Sequence, residues 1–215
     1  MSGNEVTVID YGVGNLLSVQ KGFEYCGAKV SLTSDPVKIM EAERVVLPGV
    51  GAFSNAMSAL EKLNLVAVIR ELACRQTPLL GICLGMQLLL DESVEFGITP
   101  GLGIIPGRVI PVPTYNISGV KQKIPHIGWN SLKLSKECYG WSSTLLQNIR
   151  PGDEMYFVHS YMAEPTNDVN RLADCEYGGI LVSAVIRQGQ TTGCQFHPEK
   201  SGEMGLQILR QFILQ

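Results

Sequence analysis

The sequence predicts an α/β fold around a doubly wound mixed sheet, with a parallel N-terminal half and antiparallel hairpins in its C-terminal half. Three observations carry this. Short apolar runs at 5–10, 28–33, 44–48 and 78–82 alternate with helical patterns at about 14–26, 52–75 and 84–91, the βαβ rhythm of parallel strands with helices on both faces. Beyond residue 100 the rhythm changes, and strand-like runs at 104–112, 124–134, 155–160, 171–177, 180–187 and 190–196 follow one another with few helices between them. Gly178-Gly179 and Gln188-Gly189 fall between such runs and predict hairpins.

Taken in order, Glu5-Val6-Thr7-Val8-Ile9 opens the chain as a strand. Three of the four N-terminal apolar runs end in glycine-containing turns: Asp10-Tyr11-Gly12, Pro48-Gly49-Val50 and Gly81-Ile82-Cys83. All three lie at strand carboxyl ends, where open α/β sheets place their sites. The turn Asp10-Tyr11-Gly12-Val13-Gly14-Asn15-Leu16 could cradle an anion, but it fits neither the dinucleotide nor the P-loop spacing. A helix near 203–214 closes the pattern, and with no internal repeat or linker, residues 1–215 read as one domain.

Composition removes several function classes. Hydrophobic residues make up 45% and charged residues 17% of the 215, which argues against disorder and allows a substantial core. A net charge of −3 gives no basic footprint for nucleic acid. No apolar run approaches the ~20 residues that span a bilayer, and the opening strand leaves no room for a secretory leader. Six cysteines without regular spacing read as reduced cytoplasmic thiols, Cys26, Cys74, Cys138, Cys175 and Cys194 being structural. With no Cys-x-x-Cys pair and no ligand cluster, neither a metal nor a cofactor is expected.

The chemistry concentrates at Cys83. Gly81-Ile82-Cys83-Leu84-Gly85 places a cysteine between an apolar strand and a helical segment, the Gly-x-Cys-x-Gly form of a nucleophile elbow. Glycines permit a sharp turn, and free N–H groups of the following helix favour thiolate over thiol. A buried core thiol is the alternative. A thiolate nucleophile needs a base, and the base an orienting group. Of the three histidines, His126, His159 and His197, only His197 stands in a His-Pro-Glu run, His197-Pro198-Glu199. Glu199 can hold the imidazole and stabilise its charged form.

Gly81-Ile82-Cys83-Leu84-Gly85-Met86-Gln87 with Gln195-Phe196-His197-Pro198-Glu199 resembles the triad-type, class I glutamine amidotransferases. Four further segments narrow the resemblance: Ile9-Asp10-Tyr11-Gly12-Val13-Gly14-Asn15-Leu16, Leu47-Pro48-Gly49-Val50-Gly51-Ala52-Phe53, Pro125-His126-Ile127-Gly128-Trp129-Asn130 and Phe157-Val158-His159-Ser160-Tyr161. Together they resemble glutaminase subunits of imidazole glycerol phosphate synthases. The resemblance implies hydrolysis of L-glutamine to glutamate and ammonia through a Cys83 thioester. It also implies a (β/α)₈-barrel cyclase partner in a heterodimer, which uses the ammonia to form imidazole glycerol phosphate and aminoimidazole carboxamide ribonucleotide in histidine biosynthesis.

The resemblance assigns residues too. The oxyanion would take the Leu84 N–H and the Gly51 loop, whose peptide could reorient; a plain tight turn is the other reading of Gly49 and Gly51. Gln87 and Glu95 would meet the amino-acid end of glutamine, although an unplaced glutamate is by default a solvated acid. His159, Ser160 and Tyr161 would line the same pocket. Asn15 and Trp129 would face the partner, with core packing the alternative for Trp129. Phe96, and the stretch 135–150 with Cys138-Tyr139-Gly140-Trp141, depart from the family pattern. The same glutaminase chemistry would serve a paralogue that feeds amination of a surface-polysaccharide sugar nucleotide, or a partner-independent thiol hydrolase.

Overall fold

The computed structural model describes residues 3–215; Met1 and Ser2 of the one-domain reading lie outside the described residues. Strands β1 (Glu5–Ile9), β2 (Lys29–Thr33), β3 (Val45–Leu47) and β4 (Leu79–Ile82) are parallel, with α1 (Leu16–Tyr25), α2 (Pro36–Met40), α3 (Phe53–Lys62), α4 (Leu65–Cys74) and α5 (Leu84–Leu88) between and after them. Then come β5 (Glu92–Ser93), β6 (Thr99–Pro100), β7 (Gly107–Pro111), β8 (His126–Ser131), β9 (Lys133–Leu134), β10 (Glu154–His159), β11 (Tyr161–Pro165), β12 (Arg171–Tyr177), β13 (Ile180–Gln188), β14 (Thr191–Cys194) and α6 (Gly202–Ile213).

The main sheet has eight strands in the order β2-β1-β3-β4-β14-β13-β12-β9. The junction that matters is β14, which runs parallel to β4 while pairing antiparallel with β13. It joins the two halves of the molecule and sets Cys194 opposite Ile82, one residue before the cysteine of the elbow. A ribbon of β8 and β10 and a four-stranded sheet β11-β7-β5-β6 stand beside it.

The sheet is doubly wound because alternate strand residues point to opposite faces, and both faces are covered. Val6, Val8, Val46 and Leu80 pack with Val19 and Phe23 of α1 and Leu209 and Phe212 of α6. Ile9, Val45, Leu47 and Leu79 pack with Phe53 and Leu60 of α3 and Leu65, Ile69 and Leu72 of α4. Each such fully buried side chain contributes about 1.5–3 kcal/mol of transfer free energy. Both glycine-marked hairpins form, with Gly178 and Gly179 at φ +60° and +80° and Gly189 at +58°.

Strands β5, β6 and β11 fall outside the runs read along the chain, and three further departures have a physical reason. The single helix expected over 52–75 is two, divided at Asn64, which takes φ +58°, ψ +31°; asparagine is one of the few residues that tolerates this conformation. Helix α2 is additional, started by Asp35, whose side chain accepts the Val37 N–H at 2.9 Å, and by Pro36 at its first position. The unfamiliar stretch 135–150 has no regular element but supplies core: Trp141, Leu145, Leu146 and Ile149 are buried, and the Trp141 indole N–H donates to the Leu172 carbonyl at 2.9 Å. Among the described residues no helix is long and apolar enough to cross a membrane.

Candidate active site

Cys83 follows β4 and precedes α5 with φ +55°, ψ −107°, a conformation rare for a side-chain-bearing residue. The flanking glycines serve the elbow by close approach. A Cβ on Gly85 would stand 1.8 Å from the Leu47 carbonyl oxygen, and one on Gly81 would stand 2.7 Å from the Gly85 oxygen. The strain therefore falls on the cysteine, while its neighbours allow the helix to sit against β3 and β4. Helix α5 has only five residues, so it supplies local N–H groups more than a summed dipole. As its first residue, Leu84 has an N–H with no acceptor inside the helix.

The second half of the site arrives with the chain after β14. His197 is buried, its N–H donating to the Tyr156 carbonyl at 3.0 Å and its carbonyl accepting the Ser201 hydroxyl at 2.7 Å. Its Nδ1 lies 2.8 Å from Glu199 Oε1, and both side chains are at most 4% exposed. Burial by itself works against charge on this imidazole. Interaction with Cys83 and Glu199 outweighs it and lifts the group to about 9. The other ring nitrogen, Nε2, is buried without a hydrogen-bond partner. Cys83 Sγ is 3.9 Å from the Val158 carbonyl oxygen, and hydrogen bonding and charge between Cys83 and His197 are, with Glu199, what raise the imidazole. Such contacts tighten when substrate is bound.

A cleft of about 290 Å³ opens on these groups, and Gly51, Cys83, Leu84, Gln87, Glu95, His159, Ser160, Tyr161 and His197 all line it, together with Val50, Pro125 and Val158. Gly51 has φ +97° with open space around its Cα, so the residue is required by backbone conformation and not by crowding. Gly49 is the reverse: a Cβ there would meet the Tyr11 hydroxyl at 2.7 Å and Leu84 Cβ at 3.0 Å. Gln87 is buried and its Nε2 donates to the Tyr161 carbonyl at 2.9 Å and to Gln195 Oε1 at 3.0 Å. One carboxylate oxygen of Glu95 accepts the Phe53 N–H at 2.6 Å. Glu95 is thus no free surface acid; it faces the cleft and completes the open end of α3.

His159 does not compete for the base role. Its Nδ1 is 2.9 Å from the Tyr161 carbonyl, which only accepts, so Nδ1 carries the proton. Its Nε2, 3.0 Å from His126 Nδ1, then accepts. Burial pushes both rings down to about 4, and the pair is neutral. His126 is further held between Tyr177 and Phe157, at centroid distances of 4.1 and 5.2 Å.

Asn15, Trp129 and Glu199 do not line the cleft. Asn15 precedes α1 without a side-chain capping bond, so its amide is not spent on the helix. Trp129 is 54% exposed, against Tyr156 at 5.9 Å, which removes the core-packing alternative. Two residues escaped the reading of site positions. Tyr11 is buried and donates at 2.7 Å to the Pro48 carbonyl, tying down the Gly49–Gly51 loop; burial and the charge of Cys83 keep its phenol protonated. Gln195 is fully buried with Nε2 3.8 Å from Cys83 Sγ. Its signal was present, since two residues along extended chain return to the same side and His197 is two residues on. Among the described residues no group of three or more His, Cys, Asp or Glu is arranged to hold a metal ion.

The family model for glutamine amidotransferase class-I matches residues 7–215. The chain belongs to the class I glutamine amidotransferase family. It is 52% identical over 210 residues to the imidazole glycerol phosphate synthase subunit HisH 1 of Legionella pneumophila, covering 98% of this chain and 99% of that one. It is 42% identical over 209 residues to the HisH subunit of Lactococcus lactis, covering 97% and 98%. Among solved structures, a crystal structure of a glutamine amidotransferase superposes with a TM-score of 0.69 at 17% identity, covering 94% of each chain. The structure of PurLQS from Thermotoga maritima gives 0.69 at 18%, covering 100% of this chain and 98% of that chain. At these identities the structures speak for the fold.

Proposed function

We propose that this chain, acting as one unit over residues 1–215, is the glutaminase subunit of an imidazole glycerol phosphate synthase and works in the cytoplasm. It hydrolyses L-glutamine to glutamate and ammonia and passes the ammonia to a (β/α)₈-barrel cyclase, its partner in a heterodimer of histidine biosynthesis. The observation that carries the reading is the buried His197–Glu199 pair beside Cys83 in one cleft, in a chain about half identical to HisH subunits along nearly its whole length.

The chemistry follows from the geometry. At neutral pH the Cys83 proton resides on His197 Nε2, the pair standing as thiolate and imidazolium, and the sulfur attacks the side-chain amide carbon of glutamine. A C–S bond forms while the carbonyl π pair moves to oxygen, where the Leu84 N–H and the Gly51 loop receive the charge. The oxyanion collapses, the C–N bond breaks, and imidazolium at His197 protonates the departing ammonia. Water then attacks the thioester, gives its proton to His197, and the C–S bond breaks to release glutamate. Gln87 and Glu95 hold the amino-acid end, with His159, Ser160 and Tyr161 completing the wall. Ammonia released into water at neutral pH becomes mostly ammonium, which is no nucleophile, so a sealed route into a partner is chemically required. Asn15 and the exposed Trp129 belong to that junction.

Glutamate release should be measured for the chain alone and with the barrel cyclase and its nucleotide ligand. Slow turnover alone and a large rise in the complex are expected. Fast turnover alone, with no response to the cyclase, would replace this reading with an independent thiol hydrolase.

A further inference from the structure

The Cys-His-Glu description leaves one group at the reacting sulfur without a role. Gln195 is fully buried, and its amide Nε2 lies 3.8 Å from Cys83 Sγ. Which end of that amide faces the sulfur is decided two residues away. The Tyr161 carbonyl can only accept, so the Gln87 amide atom 2.9 Å from it is nitrogen. That same nitrogen is 3.0 Å from the Gln195 amide, which must therefore present its oxygen there. The remaining end of Gln195, its NH₂, faces Cys83. Turning either amide over would set oxygen against oxygen at Tyr161 or donor against donor between the two glutamines.

We propose that Gln195 is a further catalytic residue: an N–H donor to the Cys83 sulfur, its polarity fixed through Gln87 by the Tyr161 carbonyl, that stabilises thiolate over thiol. A hydrogen bond to an ionised acceptor is roughly twice as strong as one between neutral groups, so the contact favours the charged state of sulfur. It does so away from water, where fixed donors count most. The other sulfur contact, the Val158 carbonyl at 3.9 Å, can only accept and so favours the thiol. The division of labour with His197 is clear. His197 takes the proton; Gln195 transfers none and sets how readily it leaves. The inference rests on Cys83 being the nucleophile of glutamine hydrolysis.

The test is the pH dependence of Cys83 alkylation by iodoacetamide, read by mass spectrometry on the peptide bearing Cys83. Only the thiolate reacts, and no glutamine is present. The full-length wild type is compared with Gln195→Met, which keeps length and burial but removes the donor, and with Gln87→Met, which frees the Gln195 amide to turn; thermal melts accompany each. In Gln195→Met the alkylation midpoint should rise by about one pH unit, about tenfold less thiolate at a given pH below it, and kcat for glutamine should fall by a similar factor with KM changed little. Gln87→Met should move the midpoint in the same direction by less. An unmoved midpoint in folded Gln195→Met overturns the proposal; if that variant does not fold, an unmoved midpoint in Gln87→Met does. Failure of the underlying reading looks different: Cys83→Ala would then still hydrolyse glutamine.

Discussion

His197 and His159 both line the cleft, and both are shielded from water. Burial disfavours the imidazolium form of each. At His159 little opposes it: the neighbours are the Tyr161 carbonyl and a second neutral ring, and the group falls to about 4. At His197 burial also pulls downward, but the Glu199 carboxylate and Cys83 reverse the sign and carry the group to about 9. The cleft therefore holds one ring that keeps a charge at neutral pH and a second that is neutral there. A buried histidine becomes an acid–base catalyst through its charged neighbours, not through its burial.

The sharpest way to break this contrast is to make the first corner resemble the second. Glu199→Gln keeps a hydrogen-bonding group beside His197 and removes the charge. Glutamate release should fall about 10³-fold, as orienting carboxylates in such triads require. The pH profile carries the sign. In the wild type, kcat should decline as pH rises through about 9, where His197 loses the proton that ammonia needs for departure. In Glu199→Gln this alkaline limb should move to lower pH; a limb that stays in place would show that Glu199 is not what raises His197.

Gly51→Pro tests the glycine loop that lines the same cleft. Proline fixes φ near −65° and has no N–H, whereas Gly51 sits at +97°. Basal and partner-stimulated hydrolysis should both drop by about 10²-fold or more, and full activity would remove the loop from the oxyanion site. On the ribbon that carries His126, Trp129→Ala should weaken cyclase binding by about 30-fold, the scale of an interface hot spot near 2 kcal/mol, measured by titration calorimetry. Glutamine turnover by the chain alone should not change, because Trp129 is outside the cleft. The smallest effect belongs to His159→Gln, expected below about tenfold in kcat with the alkaline limb unmoved. A shifted limb there would give His159 a share of the base function.

Much of this arrangement was legible along the chain because local signals and global fold agree. The elbow glycines, the His-Pro-Glu run and the glycine hairpins each point to one local geometry, and the structure adopts it. What escaped notice has physical causes. The break at Asn64 is masked by composition: Leu63 and the run Leu65-Val66-Ala67-Val68-Ile69 put apolar residues on every helical face, so the five-residue step between the buried Leu60 and Leu65 goes unread. The spacing that puts Gln195 on the side of His197 is readable, but its contacts are not, because its partners come from α5 and the end of β4, more than a hundred residues earlier. Tyr11 is hidden for the same reason: its role depends on Pro48, at the end of a different strand. Non-local hydrogen bonds have no period.

Glu95 places a constraint on how this protein can change. The carboxylate proposed to meet the amino-acid end of the substrate also receives the first N–H of α3, the helix that follows the proposed oxyanion loop. A variant seeking a different amide cannot discard that acid to relieve the ammonium preference without loosening the helix and, with it, the loop. Substrate range and foldedness are thus selected together at one side chain. Drift toward new substrates has to start at wall positions such as Ser160, and a redesign of this cleft that begins at Glu95 should supply α3 with a new cap at Ala52 first.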